Sequence, residues 1–226
     1  MTKTALVTGG NRGIGLEIVK ELSGLDYKVL LGCRDVASGV EIAKGLTGDI
    51  HVVKIDLSQS VALRKQAQDI LNVHGTIDVL INNGAILKDG TAFSVEPDDF
   101  YQSMQVNLNA PFDLIQMLAP HMISQSYGRI VNVTSDWGSF ADGLDGPAAY
   151  SVSKAALNAL TMNTAQDLPH DVKINSVHPG WIKTDMGGPS ATSSTAEGAE
   201  TIIWLATLSE DGPSGGFFHK KQPKEW

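Results

Sequence analysis

Tyr150 and Lys154 lie four residues apart in YSVSKAALNAL, a segment whose pattern predicts a helix. Residues at this spacing share one helix face, so the phenol and the ammonium would be neighbours. A nearby ammonium favours phenolate, which predicts a Tyr150 pKa below its usual value of about 10. Such a tyrosine can give a proton to a carbonyl oxygen or, in reverse, take one from an alcohol. Alone, the pair could equally be an exposed one on a helix surface.

Ser135 is the hydroxyl best placed to work beside Tyr150. It follows the apolar run of GRIVNVTS and precedes Tyr150 by fifteen residues. There it could hold a substrate oxygen and stabilise developing negative charge. Thr134 and Ser139 are the competing hydroxyls.

Asn107 lies in the apolar helical run MQVNLNAP, which Pro111 is expected to disturb. A backbone carbonyl freed there could hold water and link Lys154 to solvent. The alternative is a hydrogen-bonded asparagine in an ordinary helix.

The segment TALVTGGNRGIG places Gly9, Gly13 and Gly15 between a predicted strand and a helix starting near residue 13. Without Cβ atoms, such a loop turns tightly and lets a pyrophosphate approach backbone N–H groups. The positive end of the helix dipole would face that anion. The placement favours dinucleotide binding over a glycine-rich turn without a ligand.

The sequence CRD ends the second predicted strand, where the adenosine ribose is normally read. Asp35 could accept a hydrogen bond from a 2'-hydroxyl, whereas Arg34 could pair with a 2'-phosphate. Arg12 adds a second guanidinium, which favours NADPH and leaves NADH possible. Asp35 could also cap the next helix. Asp56 could accept from the adenine amino group or cap a helix.

Short apolar runs alternate with helical periodicity along the whole chain. The segment SVALRKQAQDILNVHG predicts an amphipathic helix, with Ser58 or Ser60 as its cap and Gly75 after its end. Alternation of this kind predicts an α/β fold: one domain over residues 1–226, a Rossmann-like, doubly wound parallel sheet of about seven strands with helices on both faces. The predicted strands cover residues 4–8, 28–33, 51–55, 78–82, 129–134, 173–177 and 215–218.

The composition excludes several classes of protein. A formal net charge of -8 over 226 residues argues against a nucleic-acid partner. Cys33 is the only cysteine, which excludes an internal disulfide and a multi-cysteine zinc site, and we expect it to fill the core. No apolar run approaches the ~20 residues that span a bilayer. We expect a cytoplasmic protein without a metal site or a membrane partner.

Taken together, these motifs resemble the short-chain dehydrogenase/reductase family over nearly the whole chain. The matching elements are TGxxxGxG at 8–15, Asp56, NNGA at 82–85, Asn107, Ser135, YxxxK at 150–154 and HPGWIKTDM at 178–186. The resemblance implies hydride transfer between NAD(P)H and a carbonyl, with Asn107, Ser135, Tyr150 and Lys154 as the catalytic set and Lys154 on the nicotinamide ribose. It implies cofactor contacts at Gly9, Asn11, Arg12, Gly13, Ile14, Gly15, Arg34, Asp56, Leu57, Asn83, Gly84, Tyr150, Lys154, Pro179, Gly180, Ile182 and Thr184.

One motif departs from the family, which usually has Asn-Asn-Ala-Gly where this chain has Gly84 and Ala85 in the last two places. Within the family, CRD and PGWIKTDM look most like NADPH-dependent carbonyl reductases. The segment 181–195 would be a lid. An apolar pocket is expected from Leu87, Trp137, Phe140, Leu144, Trp181 and Met186.

We therefore expect an NADPH-dependent reductase of small or medium apolar aldehydes or ketones. One alternative is an NAD-dependent alcohol or hydroxysteroid dehydrogenase with the same residues. Another is a cofactor-sensing signalling protein that has lost turnover. Relatives commonly pair through two helical regions, so a homodimer or homotetramer is expected.

Overall fold

A single twisted sheet forms the centre of the computed structural model, which describes residues 2–226. Its order is β3-β2-β1-β4-β5-β6-β7-β8. All neighbours pair in parallel except β7 and β8. The strands are β1 (Thr4–Thr8), β2 (Lys28–Cys33), β3 (Ile50–Lys54), β4 (Val79–Asn82), β5 (Gly128–Val133), β6 (Val172–Val177), β7 (Phe217–His219) and β8 (Gln222–Pro223). The winding reverses between β1 and β4, so their carboxyl ends border the crevice where such sheets bind ligands.

Helices cover both faces of this sheet. They are α1 (Gly13–Gly24), α2 (Val36–Ala43), α3 (Ser60–His74), α4 (Pro97–Met104), α5 (Ala110–Ser124), α6 (Ala148–Ala165) and α7 (Thr195–Ala206). Alternate residues of each strand point to opposite faces: Ala5 and Val7 pack under α1 and α7, while Leu6 packs under α3 and α5. Across residues 2–226, none of these helices has the length and apolar character that crossing a membrane requires.

The predicted fold class, a doubly wound parallel sheet in one domain, is confirmed. The predicted strands agree with the observed ones to within one or two residues at each end. The additional strand, Gln222–Pro223, is two residues long and antiparallel at the sheet edge. Such a short segment has no apolar run by which the sequence could indicate it.

Helix α3 begins and ends where its pattern predicts, with Gly75 following His74. The predicted hydroxyl cap is wrong, because Gln59 occupies the cap position and its side chain makes no capping bond. The Ser60 hydroxyl donates to Asp113 instead, at 2.6 Å. A long-range carboxylate partner has displaced the local cap. Cys33 is buried at the end of β2, as expected of a core residue.

Candidate active site

The glycine loop connects β1 to α1 at the crevice edge of the sheet. Gly13, the first residue of α1, has φ +54°, a conformation that side chains rarely adopt. A Cβ on Gly15 would collide with the carbonyl of Gly9. The loop therefore exposes bare backbone at a helix N-terminus, which is the geometry that accepts a pyrophosphate.

Thr8 ties this loop to the turn after β4. Its hydroxyl oxygen accepts from the backbone N–H groups of Asn83 (3.0 Å) and Gly84 (2.9 Å). The Asn83 amide donates to the Thr8 carbonyl at 3.0 Å. A Cβ on Gly84 would lie 2.6 Å from the Leu57 side chain, so glycine fits here without displacing Leu57. The departure from the family order thus has a local packing reason.

Near the predicted position of the adenosine, Asp35 caps helix α2. Its carboxylate accepts from the backbone N–H groups of Ala37 (3.0 Å) and Ser38 (3.3 Å) at the start of α2. Arg34 is exposed and, among residues 2–226, makes no hydrogen bond or ion pair. Of the two side chains that could contact the ribose, Arg34 is therefore the one that is available to bind it.

Two further predicted cofactor residues already have partners. Partial burial opposes ionisation of Asp56, but hydrogen bonds from the Ser58 hydroxyl (2.7 Å) and N–H (3.1 Å) hold its pKa below the usual value. Arg12 forms an exposed ion pair with Asp185 at 2.9 Å. This pair joins the glycine loop to the loop after β6.

Asn107 lies fully buried in a single π turn, Gln105–Asn109, between α4 and α5. Its amide donates to the Ile86 carbonyl (2.9 Å) and the Ser153 hydroxyl (3.0 Å), and its oxygen accepts from the Ile86 N–H (2.9 Å). The expected disturbance is therefore a π turn, while Pro111 sits in the first turn of α5, where a missing N–H costs little. Asn107 links the β4–α4 loop to α6.

Tyr150 and Lys154 lie in the first two turns of α6, and both are buried. The Lys154 ammonium donates to the Val133 carbonyl at 2.7 Å and lies 5.6 Å from the centre of the Tyr150 ring. The expected lowering of the Tyr150 pKa is wrong for this structure. Burial raises it to about 12, the Ser135 side chain opposes that rise, and the negative charge of Asp136 adds to it. Burial also lowers the pKa of Lys154 to about 7.

The three candidate hydroxyls have different partners. Thr134 directs its hydroxyl to the Val177 carbonyl within the sheet, at 3.3 Å. Ser139 donates to the Glu225 carbonyl at 3.3 Å. Ser135, which follows β5, is the only one of the three whose side chain influences the Tyr150 pKa, and it lowers that pKa. The geometry therefore favours Ser135 as the hydroxyl beside the phenol.

The loop after β6 closes over the glycine loop. Gly180 turns the chain at φ +101°, and Ile182 is buried against Gly198 of α7. The Thr184 methyl group would lie 3.1 Å from a Cβ placed on Gly13. Pro179, Gly180, Ile182 and Thr184 thus belong to one loop that packs beside the predicted pyrophosphate position.

The family model for short chain dehydrogenases matches residues 3–194. The chain belongs to the short-chain dehydrogenase/reductase family. This family member is 33% identical to carbonyl reductase (NADPH) 1 of Macaca fascicularis, in a match that covers 99% of this chain and 98% of the relative. Its fold matches carbonyl reductase Sniffer of D. melanogaster with a TM-score of 0.89 and 31% identity, covering 100% of both chains. It also matches the NADPH-bound carbonyl reductase from chicken fatty liver with a TM-score of 0.87 and 28% identity, over 100% of this chain and 99% of the other.

In this short-chain dehydrogenase/reductase, Ser135 lies beside a group of polar side chains that the sequence did not predict. The Ser135 hydroxyl donates to the Asp136 carboxylate at 2.9 Å. The Asp136 N–H donates to Nδ1 of His178 at 3.2 Å, and the His178 ring stacks on His219 with centres 4.7 Å apart. Burial lowers the pKa of His178 to about 4, so it is neutral at pH 7. No sequence spacing indicated this group, because 42 residues separate Asp136 from His178.

Proposed function

We propose that this protein reduces a carbonyl compound to an alcohol with NADPH as the hydride donor. The observation that carries the proposal is the buried Tyr150 phenol beside the Ser135 hydroxyl, one helical turn from Lys154. A phenol with a raised pKa stays protonated at neutral pH, which is the state required of a general acid. The relatives named carbonyl reductase support the same reaction.

The residues around the crevice fit NADPH. Gly15 lets the glycine loop pack tightly against the start of α1, so that backbone N–H groups at this helix N-terminus would meet the pyrophosphate. Because Asp35 caps α2, Arg34 is the side chain available for the 2'-phosphate, and Arg12 would support it after leaving Asp185. When bound, the nicotinamide supplies the hydride. The remaining predicted contacts are at Gly9, Asn11, Gly13, Ile14, Asp56, Leu57, Asn83, Gly84, Tyr150, Lys154, Pro179, Gly180, Ile182 and Thr184.

Each catalytic residue has one role in the proposed reaction. Ser135 orients the substrate oxygen and stabilises the negative charge that develops on it. Tyr150 donates its phenolic proton to that oxygen. Lys154 holds the nicotinamide ribose and returns a proton toward Tyr150. The π turn at Asn107 shifts the backbone hydrogen bonds of the helix out of their regular pattern. This shift frees a backbone carbonyl to hold the water that the relay requires.

The substrate expected from these surroundings is a small or medium apolar aldehyde or ketone. Trp137, Phe140, Trp181 and Met186 are exposed, and Leu87 and Leu144 are half-buried. The Trp137 ring lies edge-on to Tyr150, with centres 6.1 Å apart, and an exposed aromatic side chain there supplies apolar contact area for a ligand.

A titration with NADPH and, separately, NADH tests the proposal, followed by absorbance assays with aldehydes, ketones and diketones. We expect tighter binding of NADPH and its oxidation by at least one carbonyl. Equal use of NADH with alcohols would favour the dehydrogenase alternative, whereas tight binding without turnover would favour a cofactor sensor. Failure to bind either nucleotide would refute all three.

We also propose that the protein forms a homodimer or homotetramer through α4, α5 and α6. Large apolar side chains are exposed on these helices, at Tyr101, Phe112, Val152 and Met162. Light scattering on the purified protein would measure the mass directly, and a monomeric mass at micromolar concentration would contradict this assembly.

A further inference from the structure

The segment Ser139–Gly146, named here the substrate loop, leaves the site after Trp137 and returns to it just before α6. Its last residue packs against Trp137, two residues before the loop begins, because a Cβ on Gly146 would overlap the Trp137 ring. That ring meets Tyr150 edge-on, with centres 6.1 Å apart. The path of the substrate loop therefore determines how Trp137 sits against the proposed proton donor.

The substrate loop contributes few contacts of its own that would hold this path. Gly143 and Leu144 have φ +90° and +55°, which marks a sharp bend. The Leu144 N–H bonds to the Ser139 carbonyl at 3.3 Å, within the loop itself. Among residues 2–226, every hydrogen bond or ion pair that joins residues 139–146 to a part of the chain more than ten residues away goes to one segment, Lys224–Trp226.

One of those contacts is an ion pair. The Lys224 ammonium lies 2.7 Å from the Asp142 carboxylate; the Lys224 side chain is partly buried and Asp142 is exposed. The hydrogen bond from Lys224 is the largest cause of a lowered pKa at Asp142.

Backbone groups supply the other two contacts. The Ala141 N–H donates to the Trp226 carbonyl at 2.8 Å, and the Ser139 hydroxyl donates to the Glu225 carbonyl at 3.3 Å. Ser139 and Ala141, in the first half of the loop, are thus held by Glu225 and Trp226, two consecutive residues of the segment.

The segment is itself fixed to the sheet. The Lys224 N–H donates to the Phe217 carbonyl at 2.8 Å. The Trp226 ring stacks on that of Phe217, with centres 5.6 Å apart and planes 19° from parallel. Since Phe217 is almost fully buried in β7, these contacts attach the segment to the core of the sheet.

We infer that Lys224, Glu225 and Trp226 are positioning residues for substrate binding. They hold the substrate loop, and through it Trp137, in the arrangement that receives the carbonyl compound. This inference rests on the proposed function. Because the segment contacts the substrate loop and leaves the glycine loop untouched, its loss should weaken substrate binding while cofactor binding stays the same.

Hydrogen exchange in the purified protein tests whether the segment holds the loop, independently of activity. Lys224→Met should make peptides covering 136–146 exchange several-fold faster, and Asp142→Asn should do the same. Lys221→Met is the matched control, because Lys221 lies three residues earlier and pairs instead with Glu200 at 3.7 Å. Unchanged exchange in both loop variants, or equal change in the control, would overturn the inference.

Steady-state kinetics test the consequence for substrate. Lys224→Met should raise KM for the carbonyl about fivefold, with a smaller effect on kcat and no change in NADPH Kd. The exchanged pair, Lys224→Asp with Asp142→Lys, should bring KM most of the way back to the wild-type value. Faster exchange with unchanged KM, or a loss shared by NADPH binding, would overturn the inference. Wild-type protein that reduces no carbonyl but shows the expected exchange would contradict the proposed function alone.

Discussion

Tyr150→Phe tests the proposed chemistry most directly, because it removes one hydroxyl and keeps the ring. The Tyr150 residue is only 8% exposed, and its pKa of about 12 keeps the phenol protonated at pH 7. Loss of a positioned general acid costs about 100- to 10,000-fold, or roughly 3 to 5 kcal/mol of transition-state stabilisation. We expect kcat to fall by at least ~100-fold. NADPH Kd should change little, since most predicted cofactor contacts remain.

The ring contact with Trp137, 6.1 Å between centres, survives in phenylalanine, so stability should fall by only about 1 kcal/mol. NADPH oxidation in the stopped-flow and steady-state regimes measures kcat, and fluorescence titration measures Kd. Tyr127→Phe is the control, because Tyr127 also has a buried hydroxyl but lies before β5, at the opposite edge of the sheet. A Tyr150→Phe enzyme with unchanged kcat would refute the assignment of Tyr150 as proton donor.

Three other substitutions test separate parts of the site. Arg34→Ala should weaken NADPH about 10- to 100-fold and NADH little in binding titrations, because it removes a charge-assisted contact to the 2'-phosphate; equal losses would show that Arg34 does not read it. Ser135→Ala should lower kcat by about 100-fold, and a larger effect from Ser139→Ala would show that Ser139, not Ser135, stabilises the substrate oxygen. The pKa of His178 is lowered from 6.5 to about 4, so the unfolded chain binds more protons between these pH values and the free energy of unfolding falls on acidification. In urea titrations His178→Gln should reduce this fall, by at most about 3 kcal/mol, and an unaltered pH dependence would contradict a buried neutral imidazole.

Much of the fold follows from patterns that are local in the chain. The apolar runs predicted the first strands to within a residue, because a strand buried on both faces needs nearly every side chain to be apolar. Strand β8 escaped prediction because two residues carry no pattern. The hydroxyl cap predicted for α3 failed because Ser60 found a distant partner in Asp113.

The candidate site likewise has features that the sequence predicted and features that only the structure shows. The spacing of Tyr150 and Lys154 on one helix was readable, but the direction of the tyrosine pKa was not. The ammonium that should have lowered it is directed to the Val133 carbonyl, and burial dominates. Asp35 could be placed near the ribose from its position, yet only its hydrogen bonds show that it caps α2.

The sequence by itself determined the order of strands and helices, the bare glycine loop at a helix N-terminus and the tyrosine–lysine pair, because each depends on neighbours within about one helical turn or one strand. The tertiary structure decided which of three hydroxyls meets Tyr150 and which charged residue at the end of β2 stays available. It also placed His178 beside Asp136 and Lys224 on Asp142. The physical reason is that desolvation and hydrogen-bond partners are set by residues far apart in the chain, which only the packed sheet and helices bring together.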